Sequence, residues 1–165
     1  MRSRISAGIL LFRMGERGLE VLLGHPGGPY FTSKGDGHWT VPKGEVEGDE
    51  DFMAVALREF AEETGTALSI DPSQLVSLGE IIQKGGKRVV AWAVEGDLDP
   101  VDARSNLFTM EWPPGSGRLG DYPEIDEVAW LTPGEARRRI KASQIPLVDR
   151  LEAALEARLS SPRPA

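Results

Sequence analysis

A mixed α/β domain is what this sequence predicts, and three patterns predict it. Short apolar runs bounded by glycines recur along the chain, as strands do. One strongly helical stretch interrupts them, and two more close the chain. The 165 residues suit a single domain with one layered core.

The elements follow in order. Ile5 to Phe12 is a short apolar run and reads as a buried strand. Gly15 and Gly18 mark a turn, and Leu19 to Leu23 is the next strand, so the two form a hairpin. Gly24 to His38 is a long Gly- and Pro-rich loop that carries Tyr30 and Phe31; loops of this length are often functional. Trp39 to Val41 resumes as a short strand before Pro42. Glu50 to Thr64 is helical: Asp49, Glu50 and Asp51 put negative charge where the helix dipole favours it, and Gly65 stands where helices commonly end. Leu75 to Ile82 and Val89 to Val94 flank Gly85-Gly86 and predict a second hairpin. Gly96 to Pro123 reads as irregular, Ile125 to Leu131 as a strand, and Glu135 to Ile140 and Leu147 to Leu159 as helices. The domain therefore spans residues 1–159, and 160–165 read as a frayed tail.

Composition narrows the chemistry. The chain has no cysteine, which excludes a disulfide scaffold, a thiolate zinc site and a cysteine nucleophile, and is compatible with a cytoplasmic location. The formal net charge of −7 argues against long nucleic acid as a partner. A small phosphorylated substrate remains compatible, because bridging cations can seat it in an acidic site. The apolar run that starts at Ile5 ends at Arg13, far short of a membrane span, and reads as a strand and not as a signal peptide.

The informative segment is GEVEGDEDFMAVALREFAEETGT, Gly44 to Thr66. On a helix, Glu59, Glu62 and Glu63 fall at i, i+3 and i+4, on one face within one turn. Unpaired, they repel one another; a hard divalent cation removes that penalty, and oxygen ligands are what Mg²⁺ prefers. Met53, Ala56, Leu57, Phe60 and Ala61 occupy the other side and can pack the helix on a sheet. A charge run of this kind more often faces water only, so the wider spacing decides. Gly44, Glu50, Arg58, Glu59, Glu62, Glu63 and Gly65 match seven fixed positions of the Nudix box. At ~7% usage each, chance gives on the order of 10⁻⁸ per starting point.

The chain thus resembles the Nudix hydrolases, with Thr66 standing where that family usually has an aliphatic residue. The resemblance implies an α/β/α sandwich with a mixed sheet, and hydrolysis of a phosphoanhydride bond in a nucleoside diphosphate-linked substrate. It implies that Glu59, Glu62, Glu63 and the Gly44 carbonyl bind Mg²⁺, with Mn²⁺ as a substitute. Arg58 would orient a carboxylate and Glu50 would support the loop before the helix. Glu62 or Glu63 is the favoured general base, with Glu124 in the late loop as a competitor.

The substrate is narrowed further by Pro42-Lys43-Gly44, where many family members have two glycines. The Pro-Lys-Gly form resembles the dinucleoside polyphosphate and diphosphoinositol polyphosphate branches. Lys43, Lys84, Lys87 and Arg88 are candidate phosphate contacts, and Tyr30 is a candidate to stack on a base. A dinucleoside polyphosphate such as diadenosine tetraphosphate is the expected substrate. Residues 67–96 contain no tyrosine, which those hydrolases often have there, so a house-cleaning nucleoside triphosphate pyrophosphohydrolase is the alternative. A non-catalytic nucleotide-binding regulator usually loses box glutamates that this chain keeps. The resemblance also leaves room for a homodimer.

Overall fold

The structure is a computed structural model that describes residues 4–160. Its centre is β1 (Ile5–Gly15), which forms the predicted hairpin with β2 (Gly18–Pro26) in the register Phe12 to Val21 and Gly15 to Gly18. The second predicted hairpin joins β4 (Val76–Ile82) to β5 (Arg88–Glu95). β5 runs parallel to β1, while β8 (Ile125–Leu131) pairs antiparallel with β2. The sheet order is β4-β5-β1-β2-β8, with the short β3 (Lys43–Glu45) added antiparallel to β1.

Alternate residues of a strand point to opposite faces, and both faces of β1 are covered. Leu10 and Phe12 join a core with Leu147, Val148 and Leu151 of the C-terminal helix, whereas Ala7, Ile9 and Leu11 join one with Val55, Ala56 and Phe60. Burial on both sides is why this strand reads as a near-continuous apolar run. One layer is α1 (Phe52–Thr64); the other is α2 (Pro133–Arg139) and α3 (Ile145–Ser160). The result is a mixed sheet between helical layers. Of the expected tail, Ser160 closes α3 and residues 161–165 lie outside the described residues. Among the described residues no helix is long and apolar enough to cross a membrane.

Two segments differ from their expected form. Trp39–Val41 makes only isolated bridges, Thr40 with Gly24 and Trp39 with Ile140. The Val41 N–H is given instead to the Gln144 side chain at 2.9 Å, and Pro42 has no N–H to offer, so the ladder begins only at Lys43. The stretch from 96 to 123, expected as irregular, contains a 3₁₀ turn at Pro100–Asp102 and a separate hairpin of β6 (Leu107–Glu111) and β7 (Leu119–Pro123). These strands pair only with each other and leave Leu107 and Leu119 exposed, so they show no buried run.

Phe60 is among the largest fully buried side chains and seats α1 on the sheet. Phe60→Ala is expected to cost about 3–5 kcal/mol through the cavity it leaves. Urea denaturation checks this, and a cost under about 1 kcal/mol would remove Phe60 as the anchor of α1.

Candidate active site

Helix α1 sets the site. The Asp51 carboxylate accepts a hydrogen bond from Ala54 N at 3.0 Å and caps its start. Gly65, at φ 78°, caps its end and donates to Ala61 O at 2.8 Å; only glycine takes this left-handed turn without strain. Val55, Ala56, Phe60 and Thr64 are buried. The helix is thereby fixed in rotation, and Glu59, Glu62 and Glu63 point into a cleft of about 630 Å³.

The cleft wall opposite the helix comes from β3. Lys43 N donates to Glu63 Oε2 at 2.8 Å. A Cβ on Gly44 would overlap the Glu59 carboxyl group, so glycine is needed for this close approach. Arg58 does not point at the cluster's centre: its Nη1 donates to Glu50 Oε2 at 2.5 Å and its Nη2 stands 3.8 Å from Glu59 Oε1. Glu50 in turn accepts from Glu47 N at 3.0 Å, which ties the loop to the helix. Glu124 lines the same cleft, as do Lys43, Lys87 and Asn106. The groups here that could ligate a metal, the glutamate carboxylates and the Gly44 carbonyl, are hard oxygens, the chemistry that Mg²⁺ and Mn²⁺ favour. Among the described residues no three acidic side chains stand close enough to share one ion as placed; the carboxylates ring the cleft instead.

A family model for the NUDIX domain matches residues 2–151. The chain belongs to the NUDIX domain family. A curated relative, the asymmetrical bis(5′-nucleosyl)-tetraphosphatase of Rattus norvegicus, is 40% identical over 71 residues, covering 39% of this chain and 46% of that protein. Its counterpart from Mus musculus is 38% identical over the same length. The matched region thus spans less than half of either relative. Among solved structures, a C. elegans Ap4A hydrolase binary complex superposes with a TM-score of 0.63 at 22% identity, covering 92% of this chain and 98% of that one. The NUDIX domain of Shewanella oneidensis NrtR, complexed with ADP ribose, gives 0.66 at 15% identity, covering 94% and 90%.

The electrostatics of this NUDIX domain follow from crowding. Burial pushes the Glu63 carboxyl up to about 8, against the opposing hydrogen bond from Lys43 N. Burial and then the neighbouring Glu62 charge raise Glu59, and burial raises Glu124. Arg58 holds Glu50 below the usual carboxylate range.

The structure does not bring all the sequence candidates together. Lys84 sits exposed in the turn after β4, outside the cleft lining. Arg88 is engaged by Glu80 through bonds of 2.8 and 2.7 Å. Tyr30 lies in the 27–38 loop, with the Lys34 ammonium 3.5 Å from its ring centre. Sequence reasoning missed Asn106, whose N–H donates to Glu62 O at 2.8 Å and whose carbonyl accepts from Glu124 N at 2.9 Å. The backbone of one residue therefore couples the helix to Glu124. It lies in the stretch read as irregular, where no local signal marks it.

Two outcomes are expected. Gly44→Ala should lower turnover by at least about 10²-fold, the scale of losing a charge-stabilising group, because the methyl displaces Glu59; steady-state kinetics with a circular-dichroism check on folding would decide it. Glu63 affects stability with a defined sign. Its folded-state value is raised, so its contribution is fully present below the ordinary carboxyl value and is lost as pH rises towards about 8. In chelator, the melting temperature of Glu63→Gln minus that of the native chain should grow with pH across this window. A flat difference would mean that Glu63 is not held in a desolvated place.

Proposed function

We propose that the chain is a divalent-cation-dependent hydrolase of a phosphoanhydride bond in a nucleoside diphosphate-linked substrate, and that the substrate is a dinucleoside polyphosphate such as diadenosine tetraphosphate. The observation that carries this reading is the single cleft that gathers Glu59, Glu62, Glu63, Glu124 and Gly44 beside Lys43 and Lys87. The likeness to the rat and mouse tetraphosphatases supports the substrate choice.

Glu59, Glu62, Glu63 and the Gly44 carbonyl are the groups that would hold Mg²⁺, or Mn²⁺ in its place. A bound cation of this kind neutralises the diphosphate and acidifies an attacking water. The chain's own residues supply the rest. Glu62, Glu63 and Glu124 all line the cleft and are the carboxylates within reach of a water proton. The Asn106 backbone keeps Glu124 in register with Glu62, and the Arg58–Glu50 pair keeps the loop before α1 in place. Lys43 meets the phosphate chain as a point charge.

Chelation is expected to abolish turnover, and Mg²⁺ or Mn²⁺ to restore it. With the metal present, kcat/KM for diadenosine tetraphosphate should exceed that for mononucleoside triphosphates, with ATP and AMP as the products resolved by chromatography. Pyrophosphate release from a preferred triphosphate would replace this reading with the house-cleaning one, and full activity in excess chelator would remove the cation from it.

A further inference from the structure

The loop of residues 27–38 is fastened at both ends. At its start, Gly27 N donates to Glu124 O at 2.9 Å. At its finish, Gly37 N and Trp39 N donate to Arg139 O at 2.8 and 3.1 Å, and the Asp36 carboxylate lies 3.6 Å from Arg138 and 4.0 Å from Arg139. Between these ends the chain bonds mostly to itself: Phe31 N and the Thr32 hydroxyl donate to Gly28 O, and Lys34 N donates to Phe31 O. Among the described residues, the one hydrogen bond from residues 28–35 to the sheet is the bond that Lys34 O accepts from Nε2 of His25, on β2.

His25 is buried, and Trp39 packs edge-on against it with the ring centres 5.4 Å apart. Its Nδ1 stands 2.7 Å from Asp126 Oδ1 on β8. Both partners of the ring, a backbone carbonyl and a carboxylate, are acceptors. A neutral imidazole carries one N–H and can satisfy only one of them; the imidazolium carries two and satisfies both. The fastened loop therefore requires the charged ring. The charged groups around it come from three elements: Asp126 and Glu127 of β8, Lys34 and Asp36 of the loop, and Arg139 of α2, whose guanidinium is 5.7 Å from the Trp39 ring centre. These groups and His25 line one cavity of about 630 Å³. The Lys34 ammonium is drawn to the Tyr30 ring, 3.5 Å from its centre. Burial works against charge on His25, but the bonds to Lys34 O and Asp126 and the charges of Asp126 and Glu127 outweigh it and hold the ring above the ordinary histidine value.

We propose that His25 is a proton-operated latch on the 27–38 loop: the imidazolium fastens Lys34 to the sheet, and loss of its proton frees the middle of the loop. The N–H that remains stays with Asp126, because a hydrogen bond to a carboxylate is the stronger of the two. Lys34 O then faces a nitrogen lone pair, and the cavity wall formed by residues 32–36 opens beside Trp39. Closure is fully stabilised below the ordinary histidine value and is lost as pH rises through the raised one. The latch is independent of the hydrolase reading, since His25, Lys34 and Asp126 all lie outside the lining of the carboxylate cleft.

Hydrogen–deuterium exchange of residues 28–36 in the whole chain tests it, corrected for the intrinsic effect of pH and run from about pH 5 to about pH 9, which brackets the ordinary histidine value. The ring nitrogens of His25 are followed by NMR in parallel. At the acid end both nitrogens should carry hydrogen and the loop should be protected. Exchange should then rise by about 10-fold, the scale of one lost hydrogen bond, with the midpoint of the His25 titration. His25→Gln should exchange fast at every pH. Asp126→Asn keeps an acceptor but removes its charge, and should move the midpoints of ring and loop together to lower pH by about one pH unit. His38→Gln removes the other histidine of the chain and should leave the profile unchanged. A flat native profile, a loop midpoint that does not follow the His25 ring, an unmoved midpoint in Asp126→Asn, or a profile that vanishes in His38→Gln or persists in His25→Gln would each overturn the latch. Should His25→Gln fail to fold, the native and Asp126→Asn profiles still decide.

Discussion

Three carboxylates on one helical turn repel each other, and the fold must hold them together in a partly desolvated cleft. The rest of the arrangement answers that constraint. Buried Val55, Ala56 and Phe60 fix the rotation of α1 and with it the face from which the acids project. Caps at Asp51 and Gly65 satisfy both helix ends. The close approach of β3 brings the Lys43 N–H to Glu63 and leaves no space for a side chain at Gly44. The raised Glu63 and Glu59 carboxyls record the cost of that confinement. Under the proposed function, a hard cation placed among them would offset it and turn a destabilising cluster into a binding site.

Under the proposed function, a chain of net charge −7 receives a polyanion. It does so by separating its signs locally. Acids from α1 and Glu124 line the cleft, and Lys43 and Lys87 line it with them. The separation depends on two cross-links that use backbone and amide groups and no charge. The Asn106 backbone joins α1 to the segment of Glu124, and the Gln144 side-chain amide joins the segments of Thr40, Val41 and Gln83. Such links are insensitive to salt, unlike the ion pairs that decorate the surface. They let the charged side chains be chosen for ligands and not for holding the fold.

The fold itself does little to choose the substrate. A sandwich of this kind serves as a platform, and the loops and side chains grafted on it set the chemistry. Here the two long irregular stretches are where this chain departs most from a bare sandwich. The 27–38 loop is pinned by His25, which bridges the Lys34 carbonyl and the Asp126 carboxylate. The 96–123 stretch is braced by its own hairpin. Both are ordered by local bonds without adding a strand to the main sheet.

The sequence by itself determined the glutamate-bearing helix, both tight hairpins and the mixed α/β class. Each rests on contacts within a few residues: a 3.6-residue period with acids at i, i+3 and i+4, or apolar runs around paired glycines. The family box was legible for the same reason, since its spacing is a local pattern along one loop and one helix. Tertiary structure alone decided which cations reach the site. Lys84 and Arg88 neighbour Lys87 in sequence, yet one lies outside the cleft lining and the other is held by Glu80, while Lys43, more than forty residues earlier, lines the cleft with Lys87. It also decided that β3 starts only after Pro42, and that Gln144 and Asn106 matter. A buried amide or the backbone of a single residue carries no periodicity, so its role exists only once distant segments are brought within hydrogen-bond reach.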